Sequence, residues 1–335
     1  MKQEHITAPY RLAENLNLWK TPIPTLSIVI PAHNEEGSID AAISRVHAEV
    51  TCLVESHEII IVDDGSTDST LSRAKALAVD YPLRVLRLSR NFGKEQAIMA
   101  GLKASRAKSV VILDADLQEP LSCLNDMWKA YEDGYEMVYT SRAHRADEPR
   151  SKRLFTQLFY KLLNLGSDVT IPPDSRDFRL MSRRVVDALC DMPESNRFMK
   201  GLYGWVGFRS KEIRIELEPR MHGTSKFRLI GLMKLALTGL TSFTTWPLRM
   251  WTLIGFAIAA MSIVYGAWIA ARTLVFGIDV PGWSTLAAAI FLLGGVQLVS
   301  VGILGEYVAR VFGEVKGRPG FIVAEDFGPN LDGSP

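Results

Sequence analysis

Asp114 and Asp116 stand one residue apart at the end of the apolar run Ser109–Leu113. Alternate residues at a strand end project to the same side, so both carboxylates can approach one cation. Hard divalent ions such as Mg²⁺ take oxygen ligands and often keep a bound phosphate in their shell. Gln118, two residues further on, offers a third oxygen. Three more polar segments follow apolar runs in the same way: Pro31-Ala-His-Asn34-Glu35-Glu36, Asp63-Asp64-Gly65-Ser66-Thr67-Asp68 and Ser89-Arg90-Asn91-Phe92-Gly93-Lys94. Taken singly, each contains the usual turn and helix-cap residues. Taken together they are rich in acids, and carboxylates crowded at one edge repel unless a cation or a donor-rich ligand compensates them. The set reads as a binding site for a metal and a phosphate-bearing ligand.

The elements that must position these segments alternate. Leu26–Pro31, Glu58–Val62, Arg84–Leu88, Ser109–Leu113 and Glu136–Tyr139 have the composition of strands. The stretches 38–50, 69–80, 94–105 and 121–133 carry helical patterns. That order predicts an α/β domain with a mostly parallel, Rossmann-like sheet, whose ligands bind at the carboxyl ends of the strands.

The 335 residues carry 38 Lys and Arg against 37 Asp and Glu, a net charge of +1, which excludes a nucleic-acid binder relying on basic excess. The three cysteines, Cys52, Cys123 and Cys190, are too scattered for a metal set or a disulfide framework. Trp251–Ala271 and Trp283–Gly305 contain no charged residue, and a membrane-crossing helix needs about 20 apolar residues. A two-helix transmembrane hairpin, about 250–272 and 282–305 within 246–306, is therefore expected. Trp246, Trp251, Trp268 and Trp283 lie near the run ends, where indoles favour the headgroup region. Arg249, Arg310, Lys316 and Arg318 flank the outer ends, so the positive-inside bias places both termini in the cytoplasm. The polar start MKQEHITAPY has no signal-peptide core. Residues 151–165 and 226–243 show amphipathic helical patterns with basic flanks, as expected of helices lying in the headgroup layer. The resulting layout is an N-terminal arm (1–24), a cytoplasmic catalytic domain (25–225), a juxtamembrane helix (226–245), the hairpin and a cytoplasmic tail (307–335).

These segments together resemble the inverting family-2 glycosyltransferases with the GT-A fold. More narrowly, the chain is similar to the polyprenyl-phosphate enzymes among them, the bactoprenyl-phosphate glucosyltransferases and dolichyl-phosphate mannose synthases. The residues that carry the resemblance are VIPAHNEE, IIIVDDGSTD, LSRNFGKEQA, LDADLQEP, the Asp177-Phe-Arg-Leu-Met-Ser segment, Arg197-Phe198, His222-Gly-Thr-Ser-Lys226 and the terminal GEYVARVFGEVKGRPGF, which together span about Leu26 to Phe321. Processive members carry QxxRW; Glu194-Ser-Asn-Arg197-Phe198 stands here instead, which argues for transfer of a single sugar.

The resemblance implies a nucleotide-sugar donor, a UDP-hexose such as UDP-glucose, bound by Pro31, Glu35, Asp64, Lys94 and Asp114. It implies Mg²⁺ or Mn²⁺ on Asp114, Asp116 and Gln118, with Asp116 and Asp177 as the catalytic pair. The acceptor would be undecaprenyl or another polyprenyl phosphate, held by Arg142, Arg150, Arg153 and Lys226, because guanidinium and ammonium groups pair strongly with phosphate. Asp177 is the base by family position; the other readings are an ion pair with Arg179 or Arg183, or a turn residue after Pro172-Pro173. A phosphate monoester has its second pKa near 6, so an orienting role for Asp177 fits better than proton abstraction. The resemblance also implies a homo-oligomer, a tetramer, in the inner membrane with its catalytic domain in the cytoplasm. The rival functions are transfer to another lipid or polysaccharide acceptor and a non-catalytic membrane scaffold that retains a sugar-nucleotide fold.

Overall fold

The structure, a computed structural model, describes residues 23–143, 175–194, 197–216, 246–276 and 282–328. The interfacial helix expected over 151–165, the helix expected over 226–245, and Arg150, Arg153 and Lys226 lie outside the described residues.

Four largely apolar runs make the centre of the sheet: β1 (Leu26–Ala32), β2 (His57–Asp63), β3 (Leu83–Leu88) and β4 (Ser109–Ile112). Every residue of β1 and β4 is buried, as expected of parallel strands covered on both faces. Helices α1 (Ile39–Leu53), α2 (Thr70–Leu77), α3 (Lys94–Ala104) and α4 (Cys123–Glu132) alternate with them. Helix α1 buries Ile39, Ala42, Ile43, Val46 and Val50, a three-to-four spacing that makes one apolar stripe. Ile28, Ile30, Ile59 and Ile61 are fully enclosed; each such side chain stabilises the fold by about 1.5–3 kcal/mol. Helix α3 lies so close to the sheet that a Cβ on Gly101 would meet Val29 Cγ1 at 2.2 Å.

The eight-stranded sheet has the order β7-β5-β6-β4-β1-β2-β3-β8. Strands β1, β2, β3 and β4 pair in parallel, and Ala32 stands opposite Asp63, so the loops carrying the polar segments leave the sheet at one edge. Beyond the expected strand over 136–139, observed as β5 (Met137–Arg142), three strands were not anticipated. β6 (Ser175–Ser182) inserts antiparallel between β4 and β5. β7 (Ser210–Ile215) pairs with β5 in parallel, and β8 (Val323–Phe327) runs antiparallel to β3. Helices α5 (Arg183–Asp191) and α6 (Met199–Trp205) follow β6.

Strand β8 lies within the stretch 307–335 expected as a cytoplasmic tail. Residues 319–328 belong to the same compact unit as the sheet. Its acidic side chains explain the pairing: Arg84 binds Asp326 at 2.6 Å, while Lys75 and Arg87 both bind Glu325. Ser89 N–H donates to Ile322 O at 2.9 Å, extending the ladder into the loop that leads to α3.

The other unit contains two long helices, α7 (Trp246–Phe276) and α8 (Trp283–Val315), longer than the apolar runs alone suggested. Among the described residues, the stretch Leu292–Val315 is long and apolar enough to cross a membrane, and Leu253–Ile269 is apolar but shorter. Leu253, Phe256, Met261, Leu292 and Leu298 are all exposed, a surface unsuited to water at this scale.

Candidate active site

The loops after β1, β2 and β3 are tied into one scaffold by their own polar side chains. Asp64, buried at the end of β2, accepts from the backbone amides of Phe92 (2.7 Å) and Gly93 (2.9 Å). Asn34 turns with φ of 54° and accepts from Thr67 N–H at 2.9 Å. His33 Nδ1 meets Asp64 O at 2.9 Å. Glu35 accepts from Ser38 Oγ at 2.9 Å, and its amide donates to Thr70 Oγ1, which in turn donates to Asp68 at 2.6 Å. Gly65 has φ of +64°, and a Cβ there would lie 2.5 Å from the Arg90 carbonyl carbon. The β2 and β3 loops therefore pack backbone against backbone, which only glycine permits.

This scaffold presents Lys94 at the start of α3. Its ammonium lies 2.7 and 2.8 Å from the two carboxylate oxygens of Asp114 and 2.6 Å from Asp177 Oδ2. Burial alone would lower the pKa of Lys94, yet Asp114 and Asp177 hold it raised. For Asp177, burial pushes the pKa up, but Lys94 and then Lys200 overcome it and keep the carboxyl below its usual range. Both groups are thus firmly charged.

Beside this pair, one carboxylate oxygen from each of Asp114, Asp116 and Glu119 falls within 4.8 Å of the others. The backbone between them reverses at Leu117, whose φ is 47°. Glu119 is buried and receives Arg176 Nε at 2.9 Å. Burial, and then the neighbouring Asp114, push its pKa up to about 7. Gln118 donates its backbone amide to Asp116 at 3.3 Å.

Behind Lys94 lies a second polar group, built from α3, β6 and α6. Burial, and then Asp177, push the Glu95 carboxyl up to about 7, against a bond from the Met199 amide. The Arg179 guanidinium sits 3.5 Å over the Tyr203 ring, and both side chains are enclosed. Glu95 Oε2, Arg179 Nε and Tyr203 Oη are buried without a hydrogen-bond partner among the described residues.

The residues expected from sequence are thus distributed as follows. Pro31, Glu35, Asp64, Lys94, Asp114, Asp116 and Gln118 all lie on loops or element ends at the carboxyl edge of the central strands. Lys94, Asp114 and Asp177 meet directly, although Lys94 and Asp177 are 83 residues apart in sequence. Arg142 closes β5, half-buried. The alternative reading of Asp177 as an ion-pair partner of Arg179 or Arg183 gives way to a pair with Lys94: Arg183 instead donates to Ala107 O at 2.6 Å, and Arg179 stacks on Tyr203. Asp177 is no turn residue either, since it lies inside β6. Glu119 and Lys200 were missed; their only sequence signal was position beside named motifs.

Compared with known proteins, residues 27–190 match the family model for glycosyl transferase family 2, and residues 246–311 match that of the GtrB C-terminal hairpin. A prophage-derived bactoprenol glucosyl transferase of Shigella flexneri is 43% identical over 299 residues, covering 89% of this chain and 97% of the relative. An uncharacterized glycosyltransferase of Synechocystis is 40% identical over 304 residues, 90% of this chain and 96% of that one. Among solved structures, glucosyl-3-phosphoglycerate synthase from Mycobacterium tuberculosis, in complex with Mn²⁺ and uridine-diphosphate-glucose, overlaps with a TM-score of 0.41 at 20% identity, over 65% of this chain and 77% of that one.

Proposed function

The chain belongs to glycosyl transferase family 2, and we propose that it transfers one glucosyl residue from UDP-glucose to a polyprenyl phosphate of the bactoprenol class, inverting the anomeric centre. Relatives named bactoprenol glucosyl transferase, alike over almost their whole length, support glucose as the sugar and bactoprenol as the lipid carrier. The observation that carries the reading is Lys94: one ammonium touches both Asp114, on the donor side, and Asp177, on the acceptor side. Two substrates bound at these carboxylates would be adjacent.

The residues present fit a divalent cation. Asp114, Asp116 and Glu119 supply hard oxygen donors within 4.8 Å of one another, and Gln118 stands next to them in sequence. Asp114 and Asp116 would hold Mg²⁺ or Mn²⁺, which when bound neutralises charge on the departing nucleoside diphosphate. Pro31, Glu35 and Asp64 form the floor on which the nucleoside rests, and Lys94 adds a fixed positive charge for the diphosphate. The acceptor phosphate attacks the anomeric carbon from the opposite face. The new bond joins that carbon to a phosphate oxygen, and the old carbon–oxygen bond leaves with its electron pair on the nucleotide. A phosphate with a second pKa near 6 is largely dianionic at pH 7, so no proton has to be removed. Asp177, held below the usual carboxylate range by Lys94 and Lys200 against burial, makes a weak base and a good orienting group.

Because β8 returns to the sheet formed by residues 26–215, any membrane traverse between them must be made an even number of times. A hairpin of α7 and α8 with both chain ends in the cytoplasm satisfies that parity and agrees with the flanking basic residues. The test is a transfer assay on the full chain in membranes, using labelled UDP-glucose and undecaprenyl phosphate with Mg²⁺ or with chelator. The expected product is a metal-dependent lipid carrying one hexose by mass spectrometry; a polymer, or no lipid-linked sugar, contradicts the reading.

A further inference from the structure

The charges around Asp177 do not balance pair by pair. Arg176 holds Glu119 through Nε, and Lys94 is shared by Asp114 and Asp177. Arg179 is enclosed, stacked on Tyr203, with Nη2 donating to Arg176 O at 2.9 Å. Lys200 is left over. It is half-buried in the first turn of α6, and among the described residues its ammonium has neither hydrogen bond nor ion pair. The groups within its electrostatic reach are Asp177 and Glu95 on one side and Arg179, Lys94 and Arg176 on the other.

That placement is fixed from outside. The Met199 amide donates to Glu95. Arg197 donates to Leu189 O at 3.0 Å, to Glu194 O at 3.0 Å and to Met192 O, anchoring the segment before α6. A desolvated ammonium with no partner is costly, and burial does lower the pKa of Lys200, against Asp177. The same region contains the buried, unpartnered Glu95 Oε2, Arg179 Nε and Tyr203 Oη. Of these, Arg179 Nε and Tyr203 Oη are donors, so the electrostatic surroundings of Lys200 favour an anion.

Resting on the function proposed above, we propose that Lys200, with Arg176 beside it, grips the phosphate of the lipid acceptor next to Asp177. The terminal nitrogens of Arg176 have no partner among the described residues, since only Nε is engaged with Glu119. A phosphate monoester brings a charge of about −1.5 to −2, which matches two cations better than a singly charged diester does. Guanidinium and ammonium donors form their strongest hydrogen bonds with such oxygens. The carboxylate facing Lys200 is Asp177, on the acceptor side of Lys94, whereas the donor diphosphate belongs with Asp114 and Asp116. After transfer the product is a diester with one charge fewer, so the grip weakens as the reaction completes.

The experiment compares Lys200→Met and Lys200→Arg in the full-length chain. Acceptor KM is measured with undecaprenyl phosphate, and UDP-glucose binding in Mg²⁺ by calorimetry. Losing one charge-assisted bond should raise the acceptor KM of Lys200→Met about ten- to a hundredfold while donor Kd stays within about twofold. Lys200→Arg should recover most of the loss. Binding of a short, water-soluble prenyl phosphate by calorimetry reads the same contact without turnover, so a chain that transfers nothing, which defeats the proposed function, is told apart from a chain whose Lys200 does not touch phosphate. If Lys200→Met does not melt cooperatively, Lys200→Gln replaces it in every arm. Unchanged acceptor KM and prenyl-phosphate affinity in a folded variant would overturn the assignment. So would a donor Kd weakened as much as the acceptor KM, which would give Lys200 to the donor diphosphate.

Discussion

The two sides of the site differ in how completely their polar groups are paired. On the proposed donor side, Asp64, Asn34 and Asp68 each accept hydrogen bonds that lock one loop to the next. On the proposed acceptor side, among the described residues, Glu95, Arg179 and Tyr203 keep buried atoms unpartnered and Lys200 forms neither hydrogen bond nor ion pair. Buried polar groups are normally hydrogen-bonded, and each exception calls for a cause. The contrast fits the function proposed above, in which the donor platform is complete within the fold and the acceptor side would be completed by its ligand. Lys94, bonded to both sides, is the hinge between them.

The largest effect should come from the carboxylates that would hold the metal. Asp116→Asn removes one anionic oxygen beside the diphosphate and should lower transfer at least about a hundredfold with the melting temperature little changed. Turnover equal to wild type in saturating Mg²⁺ would remove Asp116 from the donor side. Next comes the loop scaffold. Gly65→Ala combines a left-handed φ with a backbone clash at 2.5 Å, so it should destabilise the domain by about 2 kcal/mol or more and weaken UDP-glucose binding. Denaturant melts and calorimetry read both; an unperturbed variant would mean the loops are not locked.

The third prediction concerns the strand that carries the chain end back into the sheet. Asp326→Ala removes the carboxylate that pairs with Arg84, a mostly buried side chain that also donates to Ala104 O. The expected loss is about 2 kcal/mol by denaturant titration, with donor affinity retained. The fourth prediction is a pH slope. Folding raises the Glu95 pKa from 4.5 to about 7 through burial and Asp177. Between those values the folded chain keeps a proton that the unfolded chain releases, so stability falls as pH rises from 4.5 to 7 and levels off above. Glu95→Gln should flatten that part of a melting-temperature profile; an unaltered slope would show that Glu95 is ordinary.

The same contrast explains what the sequence revealed. The donor side was legible because its strands are uninterrupted apolar runs and its loops carry chemistry in short, contiguous segments such as Asp114-Ala-Asp116. The acceptor side was not. β6 reads SRDFRLMS, and the charged residues that serve the site break the apolar pattern of a strand. β8 reads VAEDF, acidic because its partners are Lys75, Arg84 and Arg87 from other elements. β7 is an edge strand with little buried surface. Asp177 was singled out, but its partner Lys94 lies on a distant helix, and proximity of that kind leaves no mark on local spacing. Glu119 escaped for the same reason: the pairing with Arg176 that buries it spans 57 residues.

Hydrogen exchange of the full-length chain, measured free, with UDP-glucose and Mg²⁺, and with a water-soluble prenyl phosphate, tests the contrast between the two sides most directly. Amides of the loops 63–68 and 89–93 should be protected already in the free protein and change little with donor. Amides of 197–205 should gain protection when the prenyl phosphate binds. Loops 63–93 that become ordered only on adding donor, together with a 197–205 segment indifferent to the phosphate, would contradict the distinction.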